Sequence, residues 1–118
     1  MTGFPPIYHV CRHSEWLIAT ALGRYDGSTQ DAADGFIHFS ATNQLMESVA
    51  KHRAGQDGLV LVAVDSARLG SALKWEASRA GALFPHLYGA LPLDAVKWVV
   101  DLPLDTKTGR HVFPKIED

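Results

Sequence analysis

The sequence predicts an α+β fold of about six strands and two main helices, with the helices early and the strands late. Two helical apolar patterns lie before residue 55, and the continuous run Leu59-Val60-Leu61-Val62-Ala63-Val64 has the composition of a strand covered on both faces. Alternating segments fill the second half. No regular strand–helix alternation is present, so repeated βαβ units are not expected.

Ile7 to Cys11, entered from Pro5-Pro6, reads as the first strand, and Ser14 suits the N-cap of a helix running to about Leu22, which Gly23 ends. From Arg24 to Gly35 the chain is polar and turn-forming, with Asp26-Gly27-Ser28 and Asp34-Gly35, and reads as a loop of about a dozen residues. Loops of that length often serve as lids or binding loops. Phe36 to Phe39 is a second strand, after which Ser40 or Thr42 caps a helix to about Arg53, striped by Leu45, Met46, Val49 and Ala50. Such a helix start would offer the backbone N–H groups of residues 41 to 43 to an anion.

Leu59 to Val64 belongs at the centre of its sheet, followed by a short turn or helical piece near Ala67 to Ala72. Leu73 to Ala77 then alternates, sending Leu73, Trp75 and Ala77 inward and Lys74 and Glu76 to the other face. Ala80 to Leu91 is a second irregular stretch. Ala95 to Leu102 resumes as a strand with Val96, Trp98 and Val100 on one side, and Asp105 to Gly109 turns into a last short strand, Arg110 to Phe113.

A chain of 118 residues with 47% hydrophobic content matches a single domain, residues 1–118. Its 11 basic and 13 acidic residues nearly cancel without runs of like charge, which argues against duplex nucleic acid and anionic membranes as partners. A small molecule fits better. Cys11 is the sole cysteine, excluding an internal disulfide, and no signal-peptide pattern or membrane-length apolar stretch is visible, so a cytoplasmic protein is expected. His9, Cys11 and His13 alternate like ligands, yet no His-x-x-x-His on a helix and no Cys-x-x-Cys is present, so no metal site is expected. The residues leave the oligomeric state open.

Chemistry is carried by histidine, of which the chain has six. Three sit among aromatics, in Ile7-Tyr8-His9-Val10, Gly35-Phe36-Ile37-His38-Phe39-Ser40 and Phe84-Pro85-His86-Leu87-Tyr88-Gly89. Imidazole donates, accepts and changes charge near neutrality, whereas an apolar strand gains no stability from hosting it. Strand geometry puts Ile7, His9 and Cys11 on one face, and Phe36, His38 and Ser40 on one face of the next strand. Taken singly, each histidine is equally well explained by a hydrogen bond to a loop backbone. Together, His9, His38 and Ser40 offer directional contacts for sugar or nucleotide hydroxyls. Glu76 suits a developing positive charge, and the His86–Tyr88 loop suits a planar ring.

On Ile7-Tyr8-His9, Trp16 to Ala19, Gly23-x-Tyr25, Asp34 to Ser40, Gln44, Trp75-Glu76 and Phe84 to Gly89, the chain resembles the bacterial family Domain of Unknown Function 952. More remotely it is similar to the ADP-ribosyltransferase superfamily, which includes the RNA 2′-phosphotransferases. That resemblance implies a split, mixed or antiparallel sheet clasping NAD or an ADP-ribosylated group. It further implies that His9 holds a ribose hydroxyl, that His38 and Ser40 occupy the second polar position, and that Glu76 and His38 are the catalytic candidates. Trp16, Tyr25, His86 and Tyr88 would complete the ligand site. NAD is then the expected substrate, with transfer or hydrolysis of ADP-ribose as the expected reaction. A non-catalytic nucleotide or small-ligand module is the alternative from another class, and a metal-dependent hydrolase is a third.

Overall fold

The computed structural model describes residues 5–78 and 81–116. The expectations that rest on residues 1–4 and on Ala80 lie outside them. In chain order the elements begin with β1 (Pro6–Arg12), α1 (His13–Leu22), β2 (Arg24–Tyr25), α2 (Thr29–Asp34), β3 (Ile37–His38), β4 (Ser40–Ala41) and α3 (Leu45–His52). They continue with β5 (Leu59–Asp65), β6 (Leu73–Ala77), β7 (Leu83–Leu87), β8 (Leu91–Pro92), β9 (Val96–Leu102), β10 (Leu104–Asp105) and β11 (Arg110–His111). Single 3-10 turns at Ser66–Arg68, Gly70–Ala72 and Leu93–Ala95 link the later strands.

The apolar run becomes the middle of the larger sheet, whose order is β4-β1-β5-β9. Every residue from Leu59 to Val64 is buried, because the sheet is covered on both faces. One face packs Ile7, Cys11, Val60, Val62 and Val64 against Trp16, Tyr25, Ile37, Phe39 and Leu87. The other packs Tyr8, Leu59, Leu61, Ala63 and Leu102 against Leu45 and Val49 of α3. Burial of such side chains contributes roughly 1.5–3 kcal/mol each, so this strand anchors the α+β domain. A second sheet, β3-β7-β6, and the pairs β2-β8 and β10-β11 complete it, and all the pairings are antiparallel.

The sequence reading misplaces several boundaries. Helix α1 begins at His13, not after Ser14, because the Arg12 N–H donates to Glu15 Oε1 at 2.8 Å and fixes Arg12 as the cap. The expected loop from Arg24 to Gly35 holds β2 and a third helix, α2. Ser28 and Asp31 form a reciprocal cap there: Ser28 N–H donates to Asp31 Oδ2 at 2.7 Å and Asp31 N–H to Ser28 Oγ at 3.2 Å. Further on, the chain crosses at Phe39 from the second sheet into the first, so the predicted strand Phe36–Phe39 shortens to β3 and Ser40–Ala41 forms β4. Ser40 therefore pairs with Tyr8 inside the sheet and caps no helix, and the anion-binding helix start expected at residues 41 to 43 does not form.

The second irregular stretch is β7 and β8. Pro85 sits in the central strand of its sheet, where Phe39 N–H donates to the Pro85 carbonyl at 3.0 Å. Its missing donor therefore faces the point where the neighbouring chain leaves the sheet, which makes the proline tolerable. Trp75, 41% exposed, and Ala77 do not point into the core as expected: only Leu73 packs against it, because β6 is an edge strand that runs past the core. On β9 a bulge opposite Ala63 and Val64 makes Lys97 the extra residue, so Val96 turns to the first core cluster while Trp98 joins the second. No helix among the described residues is long and apolar enough to cross a membrane.

Candidate functional site

Cross-strand pairing brings the histidines together. His38 on β3 lies directly opposite His86 on β7, with ring centroids 5.5 Å apart and planes at 69°. Phe36 packs against both, stacking on His86 at 4.1 Å and meeting His38 at 4.5 Å. Glu76, one strand further, shares this face, and its Oε1 accepts from His86 Nδ1–H at 2.9 Å and from the Tyr88 hydroxyl at 2.6 Å. The Tyr88 and His86 hydrogen bonds hold the Glu76 carboxyl below its ordinary range.

Behind His38 stands Asp31, on the helix the sequence reading leaves as loop. Its Oδ1 accepts from His38 Nδ1–H at 2.6 Å and from the His38 backbone N–H at 3.2 Å, and its Oδ2 lies 3.6 Å from His9 Nε2. Burial alone would raise this carboxyl, but the His38 bond, the His9 ring and the backbone N–H groups of Ser28 and His38 outweigh it and bring it to about 2. On its outer side, His38 Nε2 meets Asp34 Oδ2 at 3.1 Å.

His9, on β1, is 4% exposed, and both its ring nitrogens are engaged, Nδ1 with the His38 carbonyl and Nε2 with the Tyr25 hydroxyl, each at 2.6 Å. Burial lowers its proton affinity against the opposing pull of Asp31, so the neutral ring donates from Nδ1 and accepts from Tyr25 at Nε2. Burial raises the Tyr25 phenol and pushes the Cys11 thiol up to about 12, leaving an inert thiol in the core.

Gly27 gives this knot its room. At φ +99 its missing side chain faces Asp31, and an added Cβ would come within 2.8 Å of the Asp31 Cβ. Gly27→Ala is expected to cost about 2 kcal/mol or more through left-handed strain and the clash. Thermal unfolding checks this: an unchanged melting temperature would mean that the loop has slack.

A cleft of about 780 Å³ runs from Arg12 and Arg53 past α2 and α3 to His38 and His86. His9, His38, Ser40 and His86 line it, with His9 and Ser40 as buried wall and His38 as its more open edge. Arg53 donates to the Val10 carbonyl at 3.1 Å and to Gln56 at 3.2 Å, which fixes its guanidinium at the wall. His52 faces the same space. Burial, then the charges of Lys51, His38 and Arg53, depress its proton affinity. Trp16, Tyr25, Glu76 and Tyr88 are not among the cleft-lining residues. Trp16 packs on Tyr25 at 5.4 Å, Tyr25 supports His9, and Glu76 and Tyr88 reach the cleft only through His86. No cluster of three or more His, Cys, Asp or Glu side chains suited to a metal occurs among the described residues.

A family model described as Protein of unknown function (DUF952) matches residues 10–99, a span that includes every one of these side chains except His9. The chain belongs to this family. It is similar to the X-ray crystal structure of protein CC0527 from Caulobacter crescentus, at 50% identity over 91% of this chain and 93% of that one, with a TM-score of 0.85. The solution NMR structure of CC0527 matches at 51% identity over 86% and 88% of the two chains, with a TM-score of 0.77. No curated protein matches the chain.

Of the site residues named from the sequence of this DUF952 member, His9, His38, Ser40 and His86 line the cleft and Glu76 reaches it only through His86, while Asp31, Asp34, Arg12, His52 and Arg53 line it unnamed. Asp31 had a signal, the Ser28-x-x-Asp31 spacing of a capping box. Arg12, His52 and Arg53 had none, because charges at helix ends read as ordinary solvated positions.

Proposed function

We propose that this DUF952 protein binds NAD, ADP-ribose or a related nucleotide in the cleft between its two sheets, in the manner of the split-sheet clasp of the ADP-ribosyltransferase superfamily. The observation that supports this reading is the assembly of His9, His38, Ser40 and His86, far apart in sequence, around one cleft that also holds Arg12 and Arg53. Guanidinium groups suit phosphate oxygens, and His38 and His86 offer donors and acceptors to ribose hydroxyls. A volume of about 780 Å³ lies in the range that accepts one such ligand.

In this reading His38 contacts the ligand, His9 positions it through the His38 carbonyl, and Glu76 acts through His86, with transfer or hydrolysis of ADP-ribose as the accompanying reaction. A cytoplasmic setting fits the ligand and an unpaired Cys11. Titration with NAD and ADP-ribose, followed by NMR, is expected to move the resonances of His38, His86 and His52 saturably in the millimolar range or below. Flat titration curves for both ligands would remove the reading.

A further inference from the structure

We propose that His38 and His86 form an acid–base pair that opens a cyclic phosphodiester on ribose, a nucleoside 2′,3′-cyclic phosphate, an inference that rests on nucleotide binding in the same cleft. Each imidazole is held by its own carboxylates, and the two holdings differ. His38 donates from Nδ1 to Asp31 at 2.6 Å, and its Nε2 lies 3.1 Å from the Asp34 carboxylate, so two carboxylates face this ring where one faces His86. His86 donates from Nδ1 to Glu76 at 2.9 Å, while no described residue bonds its Nε2, which in the neutral ring is an acceptor. His38 is therefore the acid and His86 the base.

Their 5.5 Å separation and edge-on arrangement bring both rings within hydrogen-bond reach, about 3 Å, of oxygens on a single phosphorus. Phe36, packed against both, fixes that spacing. The chemistry of the leaving group decides the substrate class. Cleaving the glycosidic bond of NAD expels neutral nicotinamide and leaves the proton on His38 unused, so the pair serves a second reaction in the same cleft. Displacement at a ribose phosphodiester expels an alkoxide and needs both a proton donor and an activated water.

In the step, a water oxygen forms a bond to phosphorus as His86 Nε2 takes its proton. The bond from phosphorus to one ribose oxygen breaks, and that oxygen takes the proton from His38 Nε2. One water is consumed, a nucleoside monophosphate with a freed hydroxyl leaves, and solvent carries the proton from His86 back to His38. Asp34, on the surface, releases Nε2 as the substrate enters. Asp31 and Glu76 are positioning residues.

The test uses the whole chain with adenosine 2′,3′-cyclic phosphate, following phosphorus NMR for conversion and histidine resonances for binding in the same samples. Conversion to the monophosphate with a bell-shaped pH profile is expected. His38→Gln and His86→Asn should each lose roughly 100-fold or more. Glu76→Gln, at the exposed sheet edge, should retain binding and move the acidic limb of the profile to lower pH, a change that a merely structural glutamate would not produce. Saturable histidine shifts without conversion would overturn the acid–base pair and leave nucleotide binding intact. Absence of both, with NAD and ADP-ribose equally silent, would overturn the two together.

Discussion

Asp31→Ala is expected to lower stability by about 3–5 kcal/mol, the largest effect of any polar substitution in this fold. Asp31 is 3% exposed and accepts from Ser28 N–H, His38 N–H and His38 Nδ1–H, so truncation leaves three buried or half-buried donors without an acceptor. It also removes the reciprocal cap of α2, a helix of six residues too short to persist without its ends tied. For a domain of this size, with a total stability of roughly 5–15 kcal/mol, a loss on that scale lowers the melting temperature by roughly 10–20 °C. Calorimetry on Asp31→Ala and Asp31→Asn checks it. Asparagine keeps one acceptor oxygen and should recover part of the loss. A cost below about 1 kcal/mol for alanine would show that water takes over these bonds.

The same residue marks where sequence reasoning reaches and where it stops. Leu59 to Val64 announced a doubly covered strand because a six-residue apolar run has few other stable settings, and the structure puts it in the middle of the main sheet. His9, His38 and His86 were visible as polar side chains in apolar segments. Their assembly was not, since the pairing of His38 with His86 spans 48 residues of separation and rests on register that no local pattern encodes. Asp31 was hidden for another reason: a six-residue helix shows too little of a 3.6 period to separate it from a polar loop, and only its cap spacing betrays it. The bulge at Lys97 was equally silent, because alternation gives the faces of a strand only while its register is unbroken.

The buried knot of His9 and Asp31 should make the protein lose stability on acidification in two separate windows. His9 has its proton affinity lowered by burial, so below its ordinary value near 6.5 the unfolded chain takes up a proton that the folded ring does not. Proton uptake on unfolding means that stability falls as pH falls, and this first loss opens below about pH 6.5. Asp31 is depressed from 3.8 to about 2, so its contribution is complete above pH 4 and disappears as pH drops toward 2. At about 1.4 kcal/mol per pH unit that displacement is worth on the order of 2 kcal/mol. Glu76 is depressed as well, but it lies at the open edge of its sheet, where solvent screens the contribution. Urea unfolding at a series of pH values separates the two windows. His9→Gln should reduce the slope between pH 7 and 5 to the smaller one that His52, also depressed but less buried, leaves, and keep the acid limb. Asp31→Asn should erase the acid limb and leave the His9 slope at least as steep, because the carboxylate that partly offsets the burial of His9 is gone. If neither variant changes the pH dependence relative to the parent, the two side chains titrate alike in folded and unfolded chains, and the low proton affinity that keeps His9 neutral beneath His38 is absent.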